Sequence, residues 1–396
     1  MEPSKMTSAR KKKIKTLLSR MNKQNQRFII IAPPLLEMMH MTIADDELDY
    51  LLKMGTGLNS PDRVRQISPL DDARFQAFFD TLLRKGLVHA ETKDTGKTEY
   101  RLNAIAVGWY EAMMHYLMGK PQERVFSEKF DEYFQFFKRF NFSPLRDVQS
   151  LVLRPFMKPG QGVGLLDPAT KGKSPKKTIP ISTTISAPES KVYPTSFLND
   201  LIEEHGDRDA ICAFPCVCRH GAKVLDKSCD FKMPKESCIA FGDMAKSWAS
   251  YGYGRSVTKA EAMDILKEVR DKGAVHSVIH EKDNIRLPVV AICNCCWDCC
   301  GILKSYNMGA APLKYQCFFS ARIRDESACK GCGVCERYCP TTAVSVKDKK
   351  AAINSAKCIG CGQCAYQCVK NNIELVPDER VVFLPALKKS EIRITS

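Results

Sequence analysis

The sequence predicts an α+β multidomain chain, with an N-terminal winged helix-turn-helix and extra helices, a cysteine-rich α/β middle domain, and a small C-terminal domain organised by eight repeated cysteines. Three observations carry this. Three helix-period segments followed by two alternating strands occupy residues 45–103. The run C-x2-C-x2-C-x3-C occurs twice between Cys329 and Cys368, each cysteine 29 positions from its counterpart. Eleven of the 19 cysteines fall outside that repeat, nine of them between Cys216 and Cys300.

In the first of these segments, Asp45 and Asp46 start a helix with Leu48, Leu51 and Leu52 on one face, and Gly55 ends it. Ser60 caps a second helix with Pro61 at its first position and Val64 and Ile67 inward. From Leu70 a third helix places Phe75, Phe78, Phe79, Leu82 and Leu83 on one stripe, and Gly86 stops it. Leu87 to Thr92 and Thr98 to Asn103 alternate as strands, with a wing turn from Lys93 to Lys97. Such a module invites a DNA-binding reading, but Asp71 and Asp72 stand at the leading end of the recognition helix and oppose phosphate. Protein docking or dimerisation is the favoured expectation.

Residues 107–140 continue helically. Trp109, Met113, Met114 and Leu117 share one side, and Phe126, Phe130, Tyr133, Phe134 and Phe137 form an aromatic stripe. That stripe is expected to pack on the winged helix or on a second copy in a homodimer. Residues 157–190 hold five Pro and four Gly among Lys, Ser and Thr, which reads as an extended linker or strap.

The formal charge of +15 is concentrated in two stretches: residues 1–27 carry +8 and residues 157–192 carry +4. Both read as solvated segments, with docking on an acidic partner or on RNA as the alternative, so the remainder is close to balance and shows no basic face. The longest apolar run, Phe28 to Leu36, is too short for a membrane span and contains two prolines, and no export signal is read. So many cysteines in such a chain point to metal or cluster binding in a reducing cytoplasm, with an anaerobe as the expected setting.

In the middle region an amphipathic helix from Thr195 leads to a strand, Asp209 to Phe214. Thr258 and Glu261 have capping-box spacing for a helix closing at Gly273, and two strands follow, Ala274 to His280 and Leu287 to Cys293. Strand ends are expected to bring together Cys216, Cys218, Cys229 and Cys238 with Cys293, Cys295, Cys296, Cys299 and Cys300, the expected ligands of a further metal centre. Cys212 lies just ahead of them. Four thiolates suffice for a 4Fe-4S cluster, and zinc accepts four cysteines equally. Arg219 would stabilise a reduced cluster, His276 reads as structural, and no phosphate-cradling loop is found, since Gly252 and Gly254 lack the third glycine.

In the C-terminal repeat, three cysteines two residues apart let a tight loop reach three corners of a cubane, and the fourth ligand must come from elsewhere. Gly331, Gly333, Gly360 and Gly362 permit the wrap, and Pro340 follows Cys339. The segment resembles the bacterial two-cluster ferredoxins, in which the last cysteine of each run crosses to the other cluster. The resemblance implies a βαββαβ dicluster domain in which Cys329, Cys332, Cys335 and Cys368 hold one 4Fe-4S cluster, and Cys358, Cys361, Cys364 and Cys339 the other. Val369 replaces the family's second proline, and altered loop geometry is expected there.

The middle region resembles a group of anaerobe iron-sulfur proteins that join a winged-helix start to a C-terminal ferredoxin pair; their C-x-C-R and C-N-C-C patterns occur at Cys216 to Arg219 and Cys293 to Cys296. Cys299-Cys300-Gly301 is similar to the Cys-Cys-Gly motif of heterodisulfide-reductase-type catalytic subunits, although those carry two such triplets and this chain has one.

The expected divisions are a basic flexible tail (1–27), a winged-helix-like and helical docking domain (28–145), a Pro/Gly/Lys-rich linker (146–192), a cysteine-rich metal or iron-sulfur domain (193–324), the two-cluster domain (325–376) and a C-terminal tail (377–396). The expected function is an iron-sulfur relay of single electrons between the two clusters and a further metal centre or partner oxidoreductase, fixed inside an oxidoreductase complex. The alternatives are an oxidoreductase subunit with a substrate-binding cluster in the middle domain, and a redox-sensing winged-helix regulator.

Overall fold

Where a flexible basic tail is expected, the chain forms a helix, α1 (Ser8–Gln24). Its lysines hide a repeat: Ile14, Leu17, Leu18 and Met21 fall at helical spacing and are all fully buried, while Lys11, Lys12, Lys13 and Lys15 stay outside. Lys13 reaches Asp49 at 2.6 Å and Arg10 pairs with Asp45, so the positive face meets the acidic start of a neighbouring helix. The tail expectation is therefore corrected; net charge concealed an amphipathic helix.

The computed structural model describes residues 6–24, 29–92, 96–141, 195–206, 210–280 and 289–394, so the expected linker (146–192) lies outside the described residues. The chain divides into two units, one built on the N-terminal helices and one on the cysteine-rich sheet and C-terminal domain.

In the first unit, α1 is followed by α2 (Pro33–Thr42), α3 (Asp45–Met54), α4 (Pro61–Gln66) and α5 (Asp72–Arg84), then a hairpin of β1 (Val88–Thr92) and β2 (Thr98–Leu102). Ser60 and Asp71 cap α4 and α5 by accepting from the backbone of Arg63 and Arg74. Lys85 binds both carboxylate oxygens of the buried Glu47 at 2.8 Å and joins the end of α5 to α3. A π turn (Ile105–Trp109) leads into α6 (Tyr110–Leu117) and α7 (Glu123–Asn141). Part of the aromatic stripe is internal: Phe126 meets Trp109 edge-on at 5.9 Å, and Phe130 stacks on Tyr110 at 3.9 Å.

The second unit contains α8 (Thr195–Gly206) and a five-stranded sheet of β3 (Ile211–Pro215), β4 (Glu236–Phe241), β5 (Arg255–Ser256), β6 (Val275–His280) and β7 (Val289–Cys295), ordered β5-β3-β4-β7-β6. Helices α9 (Val217–Val224), α10 (Gly242–Ser250) and α11 (Lys259–Asp271) lie between the strands in sequence. Every pairing is antiparallel, so the expected α/β domain is corrected to a sheet without parallel crossovers. One face packs Leu198 and Ile202 of α8 and Ala262 and Leu266 of α11 against Ile211, Ile239, Val278 and Ile292.

After α12 (Gly301–Asn307) the C-terminal domain runs β8 (Leu313–Ile323), α13 (Val334–Tyr338), β9 (Val344–Lys347), β10 (Lys350–Ile353), α14 (Gln363–Tyr366) and β11 (Ile373–Leu384). β8 and β11 pair along almost their whole lengths, so strand continues through residues expected as a C-terminal tail and begins ahead of residue 325. A register shift between Pro377 and Arg380 absorbs the proline. Among the described residues no helix is long and apolar enough to cross a membrane.

The packing of α1 makes a direct prediction. Leu17→Ala or Leu18→Ala will lower the unfolding free energy of the N-terminal unit by about 2–5 kcal/mol, measured by urea denaturation, whereas Lys12→Ala will leave it nearly unchanged.

Candidate metal centre

The antiparallel register explains why distant cysteines meet. Phe214 pairs with Cys238, and Ile239 pairs with Ile292, so the end of β3, the start of β4 and the end of β7 share one edge of the sheet. Cys216 and Cys218 follow β3 directly, and Cys293 and Cys295 point to one face of β7 because strand side chains alternate. The thiol of Cys238 lies between those of Cys216 and Cys293, Cys216 also contacts Cys218, and Cys295 contacts Cys300. Cys216, Cys218, Cys238, Cys293, Cys295 and Cys300 thus make one group. Cys229, Cys296 and Cys299 make another, with Sγ of Cys229 and Cys296 3.7 Å apart. The nine cysteines expected to serve at least one further centre thus fall into two groups of thiols.

Charge within the first group is unevenly held. Hydrogen bonds from Cys218 and Cys238 hold Cys216 well below the usual thiol range, and one from Cys295 lowers Cys300, while the donors are raised. Arg219 lies beside both groups. Burial opposes its charge, but the sulfurs of Cys216, Cys296 and Cys238 beside it outweigh that cost. Its guanidinium donates to Ser237 Oγ at 2.6 Å, to the Asn294 carbonyl at 3.3 Å and to Cys296 Sγ at 3.8 Å.

His276 faces away from the thiols of Cys293 and Cys295, across from Asn294 on the opposite face of the sheet. Its Nδ1 lies 2.5 Å from Asn294 Oδ1, and Asn294 Nδ2 donates to the Ser237 carbonyl. Burial lowers the pKa of His276 to about 4, so the imidazole is neutral and holds β7 in place. Cys212 is fully buried in the apolar cluster with Phe214 and Trp248, and burial pushes its thiol up to about 11.

In the C-terminal domain the last cysteine of each run stands with the opposite triplet. Cys329, Cys332, Cys335 and Cys368 line one cavity, and the charges of Cys339 and Cys358 both act on Cys361 and Cys364. Backbone N–H groups point at sulfur: Ala351 to Cys329, Asn372 to Cys368, Ala343 to Cys339 and Ala321 to Cys358, at 3.2–3.4 Å. These are thiolate-stabilising contacts, and they match across the two halves. Thr342 and Asn371, each third after the last cysteine of its run, both have positive φ.

The two cysteine-bearing regions of this unit also touch. Gln363 Nε2 donates to the Ala274 carbonyl at 2.6 Å, and Tyr366 donates to Asp271 at 2.6 Å. Arg393 lies 3.8 Å over the Trp297 ring and donates to the Cys339 carbonyl, while Phe231 meets both Trp297 and Tyr338. Sequence reasoning missed Arg393 and Asp298; for Asp298 the available signal was an acid enclosed by cysteines in Cys296-Trp297-Asp298-Cys299.

A family model described as a 4Fe-4S dicluster domain matches residues 321–369. An uncharacterized ferredoxin of Methanocaldococcus jannaschii is 30% identical over 132 residues, covering 30% of this chain and 68% of that protein. A component of an ion-translocating oxidoreductase complex of Methanosarcina acetivorans is 42% identical over 50 residues, 13% of this chain; the match spans only 19% of that component's length. No solved structure matches the chain. The class is that of iron-sulfur electron-transfer proteins. The chain belongs to the 4Fe-4S ferredoxin family.

Gly360 shows how closely the backbone wraps. Its φ is +68°, and an added Cβ would collide with the carbonyl of Phe319 on β8. Gly360→Ala will cost roughly 1–3 kcal/mol from the left-handed backbone alone, and iron bound per chain will fall; an unchanged iron content and unfolding midpoint would refute this reading.

Proposed function

We propose that the chain relays single electrons through two 4Fe-4S clusters to or from a third cluster in its middle domain, as part of an oxidoreductase complex. Cys329, Cys332, Cys335 and Cys368 hold one cluster, and Cys358, Cys361, Cys364 and Cys339 the other. Four of Cys216, Cys218, Cys238, Cys293, Cys295 and Cys300 hold the third. The clusters supply the one-electron chemistry; the chain's own residues supply thiolates, exclude water and set potentials.

The observation that carries this reading is the seating of the C-terminal domain on the middle domain through Gln363, Tyr366, the Asn307–Pro340 contact and Arg393 over Trp297. A mobile carrier would gain nothing from such a seat, whereas a relay needs its centres held at fixed separation. The backbone N–H groups at Cys329, Cys339, Cys358 and Cys368 and the guanidinium of Arg219 favour the more negative, reduced state. The complex as partner rests on the ion-translocating relative, which shares only the 50-residue match.

The N-terminal unit fits a winged helix used for docking on a protein. Asp71 and Asp72 remain exposed at the start of α5, where major-groove reading would bring phosphates, and Asp72 is paired with Arg65 at 2.6 Å. A DNA-binding role has no comparable support.

Metal and sulfide analysis of anaerobically purified full-length protein, with EPR after reduction, tests the relay. About twelve iron and about twelve sulfide per chain are expected, at about four of each per cubane, together with signals from reduced clusters at low potential. A yield of about eight of each would remove the middle cluster, and clusters that cannot be reduced would remove the relay.

A further inference from the structure

The second thiol group has a geometry that no other described part of the chain shares. One ligand atom from each of Cys229, Cys296, Asp298 and Cys299 lies within 4.8 Å of all the others, and among the described residues no other three Cys, His, Asp or Glu side chains do so. The eight cysteines of the repeated runs form no such set. That contrast has a physical cause. A cubane carries its four thiolates on four separate iron atoms and holds them apart, whereas one tetrahedral ion draws its donors together. With a zinc–sulfur bond of about 2.3 Å, the sulfur–sulfur edge of a tetrahedron is about 3.8 Å. Cys229 Sγ and Cys296 Sγ are 3.7 Å apart.

The fourth donor is prepared for the same task. Asp298 Oδ2 accepts from the Asp230 backbone at 2.7 Å, which fixes the carboxylate and ties the Cys229 loop to the turn after β7. Its Oδ1 is shut off from water with no hydrogen-bond partner, while the thiols of Cys296 and Cys299 lie against the carboxylate. A buried carboxylate oxygen facing thiols is a costly arrangement unless a cation joins them. Three thiolates and a carboxylate around a divalent ion leave a net negative charge, and Arg219, 3.8 Å from Cys296 Sγ, offsets part of it.

We propose that Cys229, Cys296, Asp298 and Cys299 bind a single tetrahedral zinc ion, separate from the cluster of the six-thiol group. Zinc takes thiolate sulfur and carboxylate oxygen in one tetrahedron and is redox-inert. The ion closes a loop between residues 67 positions apart and fixes Phe231 and Trp297, the side chains that meet Tyr338 and Arg393 of the C-terminal domain. Its part is structural, and it stands whether or not the relay does.

The test is zinc analysis with zinc-edge X-ray absorption on the full-length chain, in wild type and two variants. Wild type is expected to hold about one zinc with three sulfurs at about 2.3 Å and one oxygen at about 2.0–2.2 Å. Asp298→Cys will keep the zinc and convert that shell to four sulfurs with iron content unchanged. Cys229→Ala will lose zinc and keep its iron and sulfide. Wild-type protein without zinc, a four-sulfur shell in wild type, or joint loss of iron and sulfide in Cys229→Ala would each overturn the assignment.

Discussion

The antiparallel register of β3, β4 and β7 is the constraint on which the middle domain depends. Thiolates repel one another and desolvate at a cost, so six do not gather unless the backbone forces them together. Here the force is the sheet itself: pairing Phe214 with Cys238 and Ile239 with Ile292 leaves three strand ends, each carrying cysteine, at one edge. A one-residue slip of β7 would turn Cys293 and Cys295 to the other face and bring Asn294 to theirs. The network of His276, Asn294 and the Ser237 carbonyl guards against that slip, because the His276 and Asn294 side chains are buried and meet these partners in this register.

The C-terminal domain solves the same problem differently. Each ligand loop is contiguous, and the two halves repeat the same contacts, from backbone N–H groups aimed at sulfur to the positive φ at Thr342 and Asn371. Its long strands β8 and β11 then enclose the loops, with Arg380 donating to the Cys358 carbonyl at 2.6 Å and thereby holding β11 to the second run. The polar contacts of Gln363 and Tyr366 with α11 and its following loop seat that domain on the middle sheet without covering the triplet at Cys329 to Cys335, where Cys332 stays exposed. A relay needs an inner face and an outer one. In the proposed relay the exposed Cys332 would lie on the outer one.

What could be read from the sequence follows how local each feature is. The ferredoxin runs were legible because the spacing of three ligands is contained in one loop. The middle groups were not, because their membership depends on β4. Its residues Ser237 to Phe241 are all buried and show none of the alternation that marks a half-exposed strand. Helix α1 was masked by charge, although Ile14, Leu17, Leu18 and Met21 carry a clean helical period. The end of β11 was masked by Pro377, a residue that breaks a regular strand, where the pairing with β8 shifts register and then resumes. Asp298 was overlooked because acids are usually solvated; only its burial among thiols marks it as a donor.

A working relay requires the two-cluster domain and the six-thiol group to form one rigid electronic unit. Power saturation of the EPR signals from the reduced C-terminal clusters tests this most directly, comparing the wild-type chain with a Cys300→Ser variant. A neighbouring paramagnetic centre speeds relaxation, so wild-type signals are expected to resist saturation and those of the variant to saturate at lower power. Identical saturation in the two proteins, with the middle cluster shown to be lost from the variant, would contradict the relay.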